Sequence, residues 1–408
     1  MSSEQFPTDF YIDSVVRFLD TVKFNDTNHT AEERIAKLRY AYTKAATHFS
    51  HPDRQKRIKT IPEHLQACLQ SIVAMVVYSW ATASEEVMAD LSIHYTYIIV
   101  LDDIHSDPAE FMESFNCDLI AGMPQRHPWW QIVNEHFPQV LRHYGPYCGL
   151  NMVRLTTDFF QGCWIEQHNF TGFPGSYDYP TFLRRMNGEG HLVGGSLFPK
   201  ESFDESNLFM EITAAIAQIE HWMFFVNDLL SFYKELDEPR DQANLVNNQA
   251  QCNEITLEQA LEKVTEDIIV NSEQLLRVFH DKDPKVFHTI SAFIQGYVTW
   301  HLCDPRYRLQ ELNSLTTASS SSASKDLQLY FQYAKAVGSI DLSTQASPSV
   351  ASLAADHIAA PVTNSRAKPN VQSCGSAPQL YAAQVYDLFV ALETCKLATR
   401  TTKPLFWL

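Results

Sequence analysis

Glycine is scarce in this chain. It supplies 13 of 408 residues, roughly half the usual share, which fits helices joined by few tight β-turns. Positive charge is also short: Lys and Arg number 31 against 48 Asp and Glu, for a net charge of −17. That balance argues against nucleic acid or an anionic membrane as partner. The eight cysteines include no C-x-x-C pair and no regular spacing, so reduced thiols in a cytoplasmic protein are expected. The opening Met-Ser-Ser-Glu-Gln-Phe-Pro has neither a basic nor an apolar region of the signal-peptide kind. The apolar run from Ser71 to Ala83 is too short for a membrane span and reads as a buried core helix. No internal repeat is visible.

What the chain does have is a column of oxygens. Asn227, Ser231 and Glu235 stand four residues apart in Asn227-Asp-Leu-Leu-Ser-Phe-Tyr-Lys-Glu235. On a helix that spacing stacks an amide, a hydroxyl and a carboxylate on one face. All three are hard donors of the kind that suits Mg²⁺. The alternative is a solvated polar stripe. Against it stand Ile219, Trp222, Met223, Phe224, Phe225, Phe232 and Tyr233, which make the surroundings apolar and burial of unpaired oxygens costly.

A second cluster is acidic. Leu91, Tyr95 and Ile98 form an i, i+4, i+7 stripe whose next position is Asp102, with Asp103 beside it, Asp107 four further on and Pro108 as a stop. A capped, solvated helix end is one reading. Carboxylates at the negative end of a helix dipole are unfavourable without a cation, which favours a divalent metal. A third cluster is basic. Phe293, Tyr297 and Trp300 form another stripe, with Arg306, Tyr307 and Arg308 just beyond it. Arg184 and Arg185 precede a stretch with Gly188, Gly190, Gly194 and Gly195. The guanidinium fork matches phosphate oxygens and a tyrosine adds one more donor, although each arginine pair alone is an ordinary surface feature.

Together these clusters make the chain resemble the class I terpene synthases, and among them the fungal trichodiene synthase family of sesquiterpene cyclases. The resemblance runs from about Phe6 to about Leu312. It is carried by Ser92-Ile-His-Tyr-Thr-Tyr97, His127-Pro-Trp-Trp130, Tyr179-Pro-Thr-Phe-Leu-Arg-Arg-Met-Asn-Gly188, the Asn227–Glu235 segment and Gly296-Tyr-Val-Thr-Trp-His-Leu-Cys-Asp304. It implies an all-α bundle around a hydrophobic pocket, three Mg²⁺ ions, farnesyl diphosphate as substrate, and a homodimer. It assigns metal binding to Asp102, Asn227, Ser231 and Glu235. It assigns diphosphate binding to Arg184, Lys234, Arg306 and Tyr307, and the pocket to Tyr95, Phe159, Tyr297 and Trp300. Tyr97 joins Tyr95, Tyr297 and Trp300 as an aromatic face for cationic intermediates.

The expected chemistry is ionisation of the allylic diphosphate and cyclisation to trichodiene or a related sesquiterpene, with released diphosphate able to take the final proton. Two positions depart from the family pattern. Ser106 stands where the aspartate motif has its third acid, the carboxylate being at Asp107, and Pro305 stands where arginine is usual. Three alternatives stay open: a humulyl-derived skeleton, a silent diphosphate-binding paralogue, and, less favoured, a chain-elongating prenyltransferase.

A boundary is expected near Leu315, giving a cyclase domain over 1–315 and a tail over 316–408. Thr316 to Ser324 is almost all Ser, Thr and Ala and reads as a flexible linker. The remainder, rich in Ser, Ala and Pro, is expected to be mostly disordered. Short helices are expected near Asp326–Val337 and over Gln379–Lys396, and the tail is read as non-catalytic, with partner docking or read-through sequence as alternatives.

Overall fold

The computed structural model describes residues 6–58, 60–103, 115, 117–235, 241–316 and 322–338. Every regular element among them is helical, as the glycine-poor composition predicts. The chain divides into two compact units, Met1–Ser106 with His136–Ile358, and Asp107–Glu135 with Ala359–Leu408. In the first unit run α1 (Thr8–Thr21), α2 (Ala31–Phe49), α3 (Pro52–Ile58), α4 (Pro62–Ser79) and α5 (Glu85–Asp103). Helix α6 (Pro128–Leu141) gives its last residues to this unit. Then follow α7 (Pro146–Gln167), α8 (Tyr179–Asn187), α9 (Gly190–Ser196), α10 (Phe209–Glu235), α11 (Leu245–Asn253), α12 (Leu257–Phe279) and α13 (Pro284–Cys303). A 3₁₀ turn (Pro305–Tyr307), α14 (Leu309–Thr316) and α15 (Ser322–Gly338) close the series.

Helix starts carry the expected chemistry. Thr30 and Glu33 form a reciprocal capping box on α2, as do Thr256 and Gln259 on α12. Asp283 caps α13, whose first residue is Pro284. Helix α10 is the central element. Its buried residues, from Ile212 to Phe232, face every direction around the axis, the pattern of a helix enclosed by others rather than laid on a surface. It packs on α8, α9, α11, α12, α13, α14 and the 3₁₀ turn. The polar column expected on this helix is therefore held in the core of the unit.

Among the described residues no helix is long and apolar enough to cross a membrane. Ser71 to Ala83 lies mostly within α4, where Ile72, Val73, Val76, Val77 and Tyr78 are buried. In the second unit Phe115 stacks against Trp130 at 4.2 Å, and Arg126 pairs with Asp118 at 2.9 Å.

The region past Leu315 differs from the sequence expectation. Residues 322–338 form a docked helix, longer than the one expected over Asp326–Val337. Its Leu327, Phe331 and Ala334 are buried, and it packs on α1, α13 and α14. The i, i+4, i+7 apolar stripe outweighs the Ser/Ala-rich composition of its surroundings. The last carbonyls of α15 are met by partners from the bundle. Arg34 donates to Val337 O, Tyr78 OH donates to Gly338 O at 2.5 Å, and the Cys303 thiol donates to Ala334 O at 3.1 Å. Arg34 is itself buried and lies 3.7 Å from Asp26 Oδ2, so a cation sits at the negative end of the helix dipole. The helix expected over Gln379–Lys396 lies outside the described residues.

Candidate active site

The three oxygens of the column lie along α10, and two are buried without a well-formed hydrogen bond. Ser231 Oγ and Glu235 Oε2 are inaccessible to solvent and neither has a well-formed hydrogen bond, although the Ser231 hydroxyl is near enough to favour the ionised Glu235 carboxyl. Such groups are costly in a protein interior unless something else satisfies them. Burial pushes the Glu235 carboxyl up to about 7, against the pull of neighbouring Lys234. Lys234 Nζ lies 3.8 Å from both Glu235 Oε1 and Asp241 Oδ2, and 5.9 Å from the centre of the Tyr307 ring.

Asn227 is oriented from two sides. Its amide nitrogen donates to His301 Nε2 at 3.3 Å and to Tyr307 OH at 3.5 Å. Its oxygen accepts from Arg184 Nη2 at 3.3 Å. Arg184 is anchored on α10 as well: Nε donates to Asp228 Oδ2 at 2.7 Å, and Nη1 donates to Asn187 Oδ1 at 3.2 Å. Asp228 also accepts from the Leu245 amide at 3.0 Å. Arg185, the other half of the basic pair, is exposed and bonds His221 on the outside.

Asp102 sits in the last turn of α5. The Cys163 thiol approaches its Oδ1 at 3.9 Å. Asp102, Cys163 and Glu166 bring possible ligand atoms within 4.8 Å of one another. Glu166, on α7, is the link between the two carboxylate groups. Burial raises its pKa to about 8, Asp102 adds to the rise, Arg184 opposes it, and Glu235 acts on it from the other side. Its Oε1 accepts from the Asn187 amide. Ser106 and Asp107 lie outside the described residues, so Asp102 is the one motif aspartate whose side chain is placed.

Tyr297 and Trp300 form an aromatic wall on α13. Tyr297 stacks on Phe293 at 5.3 Å and lies 5.6 Å from Trp300, whose indole is edge-on to Tyr307 at 5.0 Å. Tyr95 is buried against Trp80 at 5.2 Å, and its hydroxyl shares a hydrogen bond with Ser196 Oγ at 3.2 Å. Phe159 is buried on α7. Tyr97 does not join this group. Its hydroxyl meets His48 Nε2 at 2.6 Å and its ring packs on Phe49. Two positions along a helix turn a side chain well over a quarter circle away, so Tyr97 faces α2 while Tyr95 faces α9.

A sequence profile described as trichodiene synthase (TRI5) matches residues 5–365. The chain belongs to the trichodiene synthase family. Curated relatives named trichodiene synthase agree. Those of Fusarium acaciae-mearnsii and Gibberella zeae are each 55% identical over 369 residues, covering 90% of this chain and 96% of the relative. That of Stachybotrys chartarum is 55% identical over 347 residues, covering 85% and 91%. Among solved structures, an ancestral-reconstruction protein, SVS_A2, aligns at TM-score 0.48 and 15% identity, over 65% of this chain and 85% of its own; nothing further follows from that likeness.

Against the family pattern, Pro305 fits its place without backbone cost. It is the first residue of the 3₁₀ turn, where a missing amide is tolerated. Asp304 Oδ1 accepts from the Arg306 amide at 2.8 Å, and Asp304 Oδ2 accepts from the Trp300 indole at 3.0 Å. Tyr307 thereby stays buried with its ring 4.3 Å from His301. Four residues that shape this trichodiene synthase-family site were not singled out from sequence: Glu166, Glu189, Asp228 and His301. Asp228 and His301 carried a signal, by lying inside the Asn227–Glu235 and Gly296–Asp304 segments.

Proposed function

We propose that the protein is a Mg²⁺-dependent sesquiterpene synthase that ionises farnesyl diphosphate, cyclises it to trichodiene and releases diphosphate. The observation that carries this reading is the pair of buried oxygens without a well-formed hydrogen bond, Ser231 Oγ and Glu235 Oε2, on the helix α10 that also bears Asn227. Hydroxyl, amide and carboxylate oxygens form an oxygen-only donor set, which suits Mg²⁺ rather than zinc or copper. Asn227, Ser231 and Glu235 would hold one ion, and Asp102 would serve the others of the three that the family implies. Bound Mg²⁺ neutralises charge on the departing diphosphate and so lowers the barrier to breaking the allylic carbon–oxygen bond.

The chain's own residues do the rest. Arg184, Lys234 and Arg306 bring charged donors to the diphosphate and Tyr307 a neutral hydroxyl, and together they orient the leaving group. Asp228 and Asn187 hold the Arg184 fork in place. Tyr95, Tyr297 and Trp300 exclude water from the hydrocarbon and present ring faces to positive charge. Assembly as a homodimer belongs to the same proposal and is read by sedimentation.

The test is incubation of the purified full chain with farnesyl diphosphate, with and without Mg²⁺, followed by gas chromatography and mass spectrometry. A single C15 hydrocarbon matching trichodiene is expected, dependent on the metal. A different C15 skeleton would keep the cyclase and replace the product, and no product at all would overturn the reading.

A further inference from the structure

The last turn of α15 meets the rear of the helix that carries the aromatic wall. Gly338, the final residue of α15, has no room for a side chain. A Cβ there would fall 2.7 Å from Thr299 Cγ2 and 2.8 Å from Cys303 Sγ, both on α13. Alanine is otherwise the better helix former, so space decides at this position. Tyr297 precedes Thr299 by two residues, and His301 precedes Cys303 by two, a spacing that turns side chains to opposite faces of a helix. Thr299 and Cys303 are therefore the back of a wall whose front is Tyr297, with Trp300 beside it at 5.6 Å.

Neither side of this seat has slack. Thr299 is fully buried, and its branched Cβ makes the side chain stiff. Its hydroxyl donates to Asp26 Oδ2 at 2.7 Å, and Asp26 is held in turn by the Asn28 amide at 3.0 Å and by Arg34. Turning the Thr299 methyl away would break that buried bond. The Cys303 thiol is committed to Ala334 O at 3.1 Å. On the other side, Arg34 and Tyr78 anchor the end of α15 through Val337 O and Gly338 O. Tyr78 also closes the third edge, because a Cβ at Gly296 of α13 would overlap its carbonyl oxygen. Helices α4, α13 and α15 thus form a close-packed triangle, and a methyl group added at Gly338 has to displace α13.

Resting on the cyclase reading, we propose that Gly338 is a specificity-determining residue: its bare α-carbon sets how far α13 carries Tyr297 and Trp300 forward, and so which C15 skeleton the enzyme releases. Gly338 touches no substrate. It acts through Thr299 and Cys303, so its role is one of positioning. Competing ring closures start from one cation in one chamber, and their relative rates follow the shape of its walls. A displacement of about half an ångström in one wall is enough to change such rates about tenfold. The segment past Leu315 then belongs to the cyclisation machinery, as the rear support of its aromatic wall.

The experiment follows the C15 products that the full chain makes from farnesyl diphosphate and Mg²⁺. The product ratio is set within each turnover, so a smaller folded fraction does not change it. Gly338→Ala should raise other C15 products about tenfold relative to the wild-type hydrocarbon. Gly338→Ala combined with Thr299→Ser moves one methyl from α13 to α15 and should restore the wild-type ratio. Leu329→Ala, on the exposed side of α15, should leave the ratio unchanged. A wild-type ratio in Gly338→Ala overturns the inference, as does a double variant that stays shifted. If Gly338→Ala fails to fold, the double variant has to fold with the wild-type ratio, and Thr299→Ser alone, which loosens the seat, has to shift it. Failure of either overturns the inference and leaves the cyclase standing. A wild-type protein that makes no C15 hydrocarbon overturns the proposed function and this inference with it.

Discussion

Arg184 and Asp228 form a pair whose side chains are 11% and 2% exposed, with Nε donating to Oδ2 at 2.7 Å. This contact ties α8 to α10 directly beside Asn227. Because both charges are out of water, removing one leaves the other uncompensated. Asp228→Ala should therefore destabilise the protein by about 3–5 kcal/mol, read as a lower urea midpoint. A loss under about 1 kcal/mol would put the pair in the class of weak surface bridges.

Ser231→Ala should separate stability from activity. In the metal-free protein the hydroxyl is buried and has no well-formed hydrogen bond, so its removal should change stability by less than about 1 kcal/mol. Turnover at limiting Mg²⁺ should fall by about 10–100-fold. Thermal melts without metal and steady-state rates across a Mg²⁺ titration check both halves. A destabilised variant with normal Mg²⁺ dependence would make Ser231 a packing residue.

That column was legible in the sequence because a helix converts four-residue spacing into one face, and Asn227, Ser231 and Glu235 need nothing further to be aligned. Asp102 was legible for the same reason, at the end of the Leu91, Tyr95, Ile98 stripe. Glu166 and Glu189 were not. Each acquires its surroundings only when α7 and α9 are brought against α5 and α10, and no local period marks them. Tyr97 shows the converse failure, since it was grouped with Tyr95 by residue type although helical geometry sends the two apart. The docked α15 was half legible: a short helix was expected near Asp326–Val337, but the composition around it suggested a loose tail rather than a helix packed on the bundle.

Metal-free stability should fall as pH rises from about 6.5 to about 8. Burial raises the folded-state pKa values of Glu235 and Glu189 to about 7 and about 8, above the ordinary carboxylate range. In that window they keep protons the unfolded chain has lost, so the slope of stability with pH is negative; below it the buried His94, His136 and His301, pulled down to about 3, 4 and 3, turn the slope the other way. The carboxyl effect is complete above its folded values and absent below the ordinary range. Added Mg²⁺ should flatten the curve, because the metal competes with the proton for the Glu235 oxygens. Denaturation midpoints at several pH values, with and without Mg²⁺, give the test. A curve rising through this window would contradict the raised values.

Phe331→Ala should cost about 3–5 kcal/mol and Leu327→Ala about 2–5 kcal/mol, because both side chains are buried between α15 and the bundle. Truncation after Leu315 should be worse than either. It would also strand Arg34 and Tyr78, which donate to the last turn of α15. A truncated protein with wild-type melting behaviour would show that α15 contributes nothing to stability.

His301 gives the site a sense of direction. Its Nδ1 lies 2.8 Å from the Tyr297 carbonyl, an acceptor, so the ring's single proton belongs there and Nε2 is left as a lone pair. Burial pulls the pKa down to about 3, which keeps that arrangement across the range in which enzymes work. The lone pair receives the Asn227 amide NH₂ and thereby decides which end of the amide points back toward Arg184. A second proton on the imidazole would set donor against donor, and the amide would turn its nitrogen to the place an ion requires oxygen. The low His301 value therefore keeps the amide the right way round in mild acid, and only acid near pH 3 would reverse it.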